Sequence, residues 1–470
     1  MKKQIFGLLV TTRGFFNPIL ARTGRKRLIE KLRQMGHDVI VLGEEDTQYG
    51  VVRTYADAKK CADLFKANAG RIGGIIISAP NFGEETSTVE AIKLSGLNVP
   101  VLVHAFDDAL DKMDLENRRD SFCGKISICA NLRQYGIKFT DTTLHTCDVD
   151  DPLFERDISH FNGVCSVVGG LKGVRLAQMG ARPAGFQTVR YSEKLLQDAG
   201  ICVVPVDMSV MMKEAERLDD TAAIADKMAF IQRYGNISLK TSSGAIEKSA
   251  RLTLAMEKYM DDNECAAGAI ECWESIERNF GCATCLPMSI MGEAGRPIAC
   301  ETDVMGGLTM LALQLASGEP SGIMDWNNNY MDDRDKCVMI HCGNYPRSLF
   351  GRGFEISSLD IIGASVGYEK CFGACKGRVR PGTVSFARIS TDDVSGKIRS
   401  YVGEGEFTDD ALDTPGAPAV MQVTGMQKLM KHICMNGFEH HVAVNRSNSA
   451  EILKEALGKY MGWEVYRHIG

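Results

Sequence analysis

The chain lacks any run of about 18 consecutive apolar residues, the length a helix needs to cross a bilayer, so no transmembrane helix is expected. Excess positive charge is missing too. The formal net charge is −6 at pH 7, which argues against a nucleic-acid partner, because such proteins carry a basic face. Neither a Gly-x-Gly-x-x-Gly fingerprint nor the Gly-Lys-Ser/Thr ending of a phosphate-binding loop occurs. The glycine-rich turn Gly169-Gly-Leu-Lys-Gly173 has neither order and reads as close helix packing through small residues. No nucleotide cofactor is therefore expected. Internal repeats and low-complexity linkers are absent. The apolar stretch after Lys2-Lys3 is short and stops at Thr11-Thr-Arg13, without the small-residue cleavage site of a signal peptide, so a first β-strand is expected there.

With 470 residues the chain exceeds one ordinary core, and two or three domains are expected. Hydrophobic content of 44% and charged content of 24% place it among soluble globular proteins. Sixteen cysteines need an explanation. Cys165, Cys202, Cys300 and Cys434 sit in apolar runs, where a reduced thiol acts as a small core residue. Cys282-Ala-Thr-Cys285 and Cys371-Phe-Gly-Ala-Cys375 have the look of zinc half-sites, but they differ in spacing and lie far apart. Reduced thiols in a cytoplasmic protein are the expectation.

Strand and helix alternate through the first part. Lys3–Thr11, Asp38–Leu42, Gly74–Ser78 and Val99–Val103 read as strands, with helices at Thr23–Met35, Thr54–Ala67 and Glu84–Leu94. This alternation predicts a parallel sheet covered on both faces. A second alternating unit follows the acidic stretch Asp148–Pro152. Its expected strands are Ala184–Thr188, Ile201–Val206 and Ala267–Glu271, and its helices Met208–Leu218, Thr221–Tyr234 and Ala245–Tyr259. From about Arg347 glycine and threonine become frequent, and Thr383–Ser390 alternates in a β manner. The expected fold class is α/β: two Rossmann-like parallel-sheet domains followed by a mostly β C-terminal domain, divided as 1–150, 151–346 and 347–470.

The strongest chemical signal is Pro297-Ile-Ala-Cys-Glu301-Thr-Asp303. Two short apolar runs each close on an acid. Ile298-Ala-Cys leads to Glu301 and Gly322-Ile-Met leads to Asp325, with an apolar helix from Val304 to Ser317 between them. This reads as strand–helix–strand with a carboxylate at the end of each strand, the edge where open α/β sheets bind ligands. Asp303 immediately precedes the helix and fits an N-cap, whereas glutamate is a poor cap. Glu301 and Asp325 therefore read either as metal ligands or as a general acid/base pair. Trp326 opens a polar aromatic loop through Tyr330 that suits a hydroxylated ligand. His440 and His441 precede a strand-like run, so at most one of them faces a given site, and a surface pair is the alternative. His341 reads either as a ligand or as a strand-end histidine bonded to backbone.

Several of these features resemble one family. Ala299-Cys-Glu301-Thr-Asp303, the small-residue helix ending Leu313-Gln-Leu-Ala-Ser-Gly318, and Asp325 placed 24 residues after Glu301 resemble the core of the L-fucose isomerase and L-arabinose isomerase group of ketol isomerases. Asn436-x-x-x-His440 resembles the third metal ligand of the fucose enzymes with a nearby sugar contact. Arg13 resembles an arginine these enzymes place near the sugar. The resemblance implies an aldose–ketose isomerase working through a cis-enediolate. It implies Mn²⁺ or Mg²⁺ held by Glu301, Asp325 and His440, and a proton moved between C1 and C2 by Glu301 and Asp325. Sugar contacts would come from Arg13, Trp326, Asn436 and His441. In the arabinose enzymes the second member of a His-His pair is the ligand, which would make it His441, and His341 lies near the place of a further one. A homo-oligomer, trimer or hexamer, with its active site between subunits and a cytoplasmic location is also implied. Nucleic-acid and membrane partners are not. The segments after Asp325 and around Arg378-Val-Arg380 are the chain's own. They leave the sugar open among L-fucose, L-arabinose, another deoxy or pentose sugar, and a sulfonated hexose such as sulfoquinovose. The competing readings are a non-catalytic sugar-binding protein on a paired α/β architecture and a sugar epimerase on the same scaffold.

Overall fold

In the computed structural model, which describes residues 2–239 and 241–470, the apolar runs of the N-terminal part become the parallel strands that their continuous hydrophobicity predicts. The chain divides into two compact units. One reaches Gly169 and also holds Lys459–Met461; the other begins at Gly170 and holds the rest. In the first unit, β1 (Ile5–Val10), β2 (Val39–Ile40), β3 (Ile72–Ala79), β4 (Val101–Ala105) and β5 (Thr140–Asp141) form a parallel sheet in the order β2-β1-β3-β4-β5. This is a doubly wound order with its switch point between β1 and β3. Side chains alternate between two cores. Leu9, Ile75, Ile77 and Val103 face one, while Phe6, Leu8, Ile76 and Leu102 face the other. Local signals set the helix ends: Thr54 and Asp57 close a capping box on the helix Tyr55–Ala67, and Gly96, left-handed at φ 68°, stops Glu85–Ser95.

The second unit opens in the same style with β6 (Arg175–Met179), β7 (Cys202–Val206), β8 (Asn236–Ile237), β9 (Ala267–Ile270) and β10 (Ile298–Ala299). Four of them form a parallel sheet in the order β10-β9-β6-β7. The expected strand Ala184–Thr188 does not form. Pro183 and Gly185 break the run, and Gln187–Val189 is a single 3₁₀ turn. The pattern then becomes antiparallel, with β11 (Ser321–Tyr330), β12 (Asp333–Ile340), β13 (Glu355–Ser358), β14 (Phe372–Lys376), β15 (Gly382–Asp392), β16 (Lys397–Thr408), β17 (Ala419–Gln422), β18 (His441–Asn445) and β19 (Glu464–Arg467). Seven of these join in the order β15-β18-β11-β12-β17-β16-β19. Because β15 also pairs with β16 from Gly382↔Phe407 to Asp392↔Lys397, six strands close into a barrel and bury edges that would otherwise be open. β19 adds in parallel outside β16, and β14, β13 and β8 make a separate small sheet. The fold class is α/β with parallel sheets first and a mostly antiparallel β part last. Among the described residues no helix is long and apolar enough to cross a membrane.

Asp325 does not sit where strand–helix–strand logic puts it. β11 is a barrel strand paired with β12 and β18, not a partner of β10, and Asp325 lies in its middle rather than at its end. The helix Val304–Ser317 causes the difference. It is buried almost all round and packs on β9 and β6 as well as on β11, β15 and β18, so it connects two sheets instead of returning to one. Two glycines permit that approach: a Cβ on Gly307 would stand 2.2 Å from the Gly268 carbonyl of β9, and one on Gly306 would stand 2.4 Å from Ile323 of β11. The expected loop after Asp325 is also strand, through Tyr330.

Candidate active site

At the seam of these two sheets, carboxylates and imidazoles meet. β10 ends at Ala299, and the chain leaves it through Glu301 and Thr302, both left-handed (φ 58° and 56°). Such backbone costs roughly 1 kcal/mol or more per non-glycine residue and collects at functional sites. Here it is held by the Thr302 N–H donating to Ile270 O (3.0 Å), by the Thr302 hydroxyl donating to Ala181 O (3.1 Å), and by the Glu301 N–H directed at Cys272 Sγ (3.3 Å). Asp325 comes from β11 and stands directly opposite His441, the first residue of β18.

His441 is fully buried. Its Nδ1 donates to Asp303 Oδ2 (2.8 Å), and its Nε2 faces Glu301 Oε2 at 3.3 Å and Asp325 Oδ1 at 3.5 Å. Those three facing atoms, and His341 Nε2 beside them, are buried without a hydrogen-bond partner. Buried polar atoms left unpaired cost about 1–3 kcal/mol each, so four of them at one place fit the binding of a polar or charged group. The donor chemistry fits a hard divalent cation: carboxylate oxygens, one imidazole nitrogen, and a second carboxylate, Asp303, fixing the far side of that imidazole.

Asp303 does more than the expected capping. One oxygen accepts the Gly306 N–H (2.9 Å) at the head of the helix, and both meet Arg388 (Nη1–Oδ2 2.5 Å, Nη2–Oδ1 2.9 Å). Arg388, wholly buried on β15, also reaches Glu439 (Nη2–Oε1 3.0 Å), which accepts the Ser390 hydroxyl as well. Burial opposes charge on Asp303, yet Arg388 and then His441 hold its carboxyl well below the usual range. Burial equally disfavours an imidazolium at His441, but Asp303 and Glu301 outweigh it and push the ring up to about 10. Glu301 is lowered despite its burial, chiefly by His441. The acids therefore demand one further positive charge at Nε2, which a proton supplies and a cation would replace.

The other histidines differ. His341 Nδ1 accepts the Cys342 N–H (2.9 Å), so the neutral ring carries its proton on Nε2 and presents a donor to the cluster, not a lone pair. His440, just before the strand, is more open, its side chain 43% exposed, yet its ring lies 4.6 Å from that of His441 and its Nε2 3.9 Å from Asp325 Oδ1, so both histidines reach the acids. Its ring rests against Phe186, which packs edge-on against Trp273 (4.9 Å). The Trp273 indole donates to Glu301 Oε1 (3.1 Å). Sequence reasoning passed over Trp273, although it follows β9 at the same strand edge that singled out Glu301.

Within the second unit, Trp326 and Asn436 are engaged elsewhere. The Trp326 indole donates to Tyr401 Oη (3.0 Å) and packs on Phe386, and Asn436 is exposed and caps its own helix by donating to His432 O (2.8 Å). Arg13 belongs to the first unit, at the end of β1, where it pairs with Glu85 (3.0 Å) and lies over Phe82. Cys282, Cys285, Cys371 and Cys375 are buried thiols that form no ligand set among the described residues. A nucleophile-elbow pattern, Gly363-Ala-Ser-Val-Gly367, falls on the short helix Asp360–Val366, where Ser365 donates to Ile362 O, so it is no strand-to-helix elbow.

Two family descriptions match the sequence: fucose/sulfoquinovose isomerase, N-terminal domain, over residues 7–172, and L-fucose isomerase, C-terminal domain, over residues 339–468. A sulfoquinovose isomerase of Priestia aryabhattai is 24% identical over 316 residues, 67% of this chain and 68% of that protein. One of Alkalicoccus urumqiensis is 21% identical over 312 residues, 65% of this chain and 68% of that one. A periplasmic solute-binding protein of Actinobacillus succinogenes with bound D-allose shares 13% identity over 63% of this chain and 84% of that one at a TM-score of 0.17, too loose an overlap to bear on fold or function. The chain belongs to the fucose/sulfoquinovose isomerase family and is an aldose–ketose isomerase.

Proposed function

We propose that the chain is a metal-dependent isomerase of a sulfonated aldohexose of the sulfoquinovose type, with Glu301, Asp325 and His441 holding Mn²⁺ or Mg²⁺. The observation that carries this reading is that Glu301 Oε2 and Asp325 Oδ1 both lie against His441 Nε2 (3.3 and 3.5 Å), all three atoms buried and unpartnered. The substrate class rests on the curated relatives, which are sulfoquinovose isomerases. A hard cation in this set would polarise the sugar carbonyl and offset the charge of an enediolate. Glu301, kept ionised and with Oε1 fixed by Trp273, and Asp325 on the facing strand move the proton between C2 and C1 as base and acid. His341 Nε2–H and the half-exposed His440 offer donors to sugar hydroxyls.

His441, rather than His440, is the imidazole ligand in this reading, because Asp303 fixes its tautomer and leaves Nε2 free to coordinate. His441→Ala is expected to weaken Mn²⁺ binding on the order of 100-fold or more, as loss of a ligand should exceed loss of an outer-shell partner. His440→Ala should stay within a few-fold of the parent. Calorimetric titration of chelator-treated protein measures both, and the opposite ranking would reassign the ligand.

The activity is tested by incubating Mn²⁺-loaded protein with sulfoquinovose, L-fucose and L-arabinose in D₂O. Sulfoquinovose should yield its ketose, with deuterium at C1 to the extent that the moving proton exchanges with solvent. Turnover of L-fucose or L-arabinose alone would refute the sulfonated substrate. No ketose from any of the three, in protein shown to bind Mn²⁺, would refute the proposal as a whole.

A further inference from the structure

The strands that carry Asp325 and His441 have a second chemically distinctive end. β11 and β18 pair from Asp325↔His441 to Ser321↔Asn445, four residues away, or roughly 13 Å at about 3.3 Å per residue. Just beyond that end lies a cavity of about 410 Å³ whose lining includes Arg380, Arg446, Ser348, Thr383, Asn448 and one acid, Glu319. The two guanidiniums have no ion-pair partner among the described residues. Arg446 donates to Pro381 O (3.1 Å), and its Nε is buried with nothing to bond. Burial and the nearby Arg380 lower its affinity for its own proton, and Glu319 at the rim offsets that only in part. Gly382 keeps the place of this guanidinium open, since a Cβ there would stand 2.8 Å from Arg446 Nη2.

Two neighbouring guanidiniums, outnumbering the single acid Glu319 and ringed by hydroxyl and amide groups, form a receptor for a compact anion carrying more than one negative charge. A carboxylate would leave much of the repulsion in place, whereas a phosphate dianion offers enough oxygens to bridge both forks. The volume is at the small end for ligand pockets and suits a small anion. We propose that this cavity binds a phosphate group, free or as the head of a small monoester, between Arg380 and Arg446. The site is separate from the metal cluster, and nothing in it depends on the sugar reading above.

The test is calorimetric titration of the full chain, in buffer free of other oxyanions, with inorganic phosphate and separately with glycerol phosphate. Saturable one-site binding is expected, weakened at least about tenfold in Arg446→Gln and in Arg380→Gln. Tighter binding of the monoester identifies a phosphorylated metabolite as the ligand, and tighter binding of inorganic phosphate identifies the free ion. Absence of saturable binding at millimolar concentrations, or wild-type binding in both variants, overturns the proposal. If a glutamine variant melts at a lower temperature than the parent, Arg446→Lys takes its place. It keeps the charge and loses the fork, so weaker binding supports the bridged geometry and unchanged binding overturns it.

Discussion

Glu301→Gln is expected to lower turnover by about three orders of magnitude or more while leaving the chain folded. The loss follows from two roles on one side chain. A positioned general base contributes about 10²–10⁴ in rate, and a cation ligand contributes several kcal/mol of charge stabilisation besides. Glutamine keeps the shape and can still accept the Trp273 indole N–H that now bonds Oε1. It also leaves the Glu301 N–H contact to Cys272 untouched. The substitution removes a charge at a place where Glu301, Asp303 and Asp325 crowd one imidazole, so the metal-free fold has little to lose. The measurement is kcat beside a thermal melt. Near-parental turnover would remove Glu301 from both roles, and a collapsed melt would make it a structural residue. Asp325→Asn should behave alike, because its Oδ1 faces the same His441 nitrogen.

The cluster is spread over positions 301, 325 and 441 because it sits where two sheets built from different parts of the chain come together. Glu301 was legible in sequence: it follows a short apolar strand, is a poor helix cap, and leaves Asp303 as the cap, which Asp303 indeed provides to Gly306. The alternation rule for adjacent strand residues expects at most one of His440 and His441 at the site. His440 precedes the strand, however, and its ring lies 4.6 Å from that of His441, so both reach the acids and only burial distinguishes them, His441 being the buried one. That burial depends on the pairing Asp325↔His441, a contact between residues 116 apart that no local pattern encodes. The barrel was hidden for the same reason. An apolar helix between two apolar runs ordinarily returns the chain to one sheet, and only Gly306 and Gly307 hint that this helix is pressed between two. The tautomer of His341 is set by one backbone N–H and has no sequence signal at all.

Arg388 was the least legible residue of the site and carries the largest expected effect on stability. A charged residue in an alternating β run normally faces water, and Thr383–Ser390 reads that way. Here Arg388 is wholly buried and holds two carboxylates, Asp303 and Glu439, with neither of which it shares a local sequence pattern. Arg388→Met is therefore expected to destabilise the second unit by about 3–5 kcal/mol, the usual result of removing one partner from a buried ionic group. Two carboxylates would be left in a dry interior, and one of them is the acceptor that orients His441. Adding Glu439→Gln should recover part of the loss by removing one orphaned charge, so the double variant should be more stable than Arg388→Met alone. Denaturant unfolding at neutral pH measures all three proteins. The pH dependence has a definite sign. Because Arg388 and His441 hold the Asp303 carboxyl below its unfolded value, its share of stability is full above the ordinary carboxylate range and is lost as acid protonates the folded group. Arg388→Met should thus flatten the fall of stability on acidification. If instead it unfolds at the parental denaturant concentration with the parental acid profile, the arginine is not what keeps Asp303 charged, and His441 must owe its tautomer to something else.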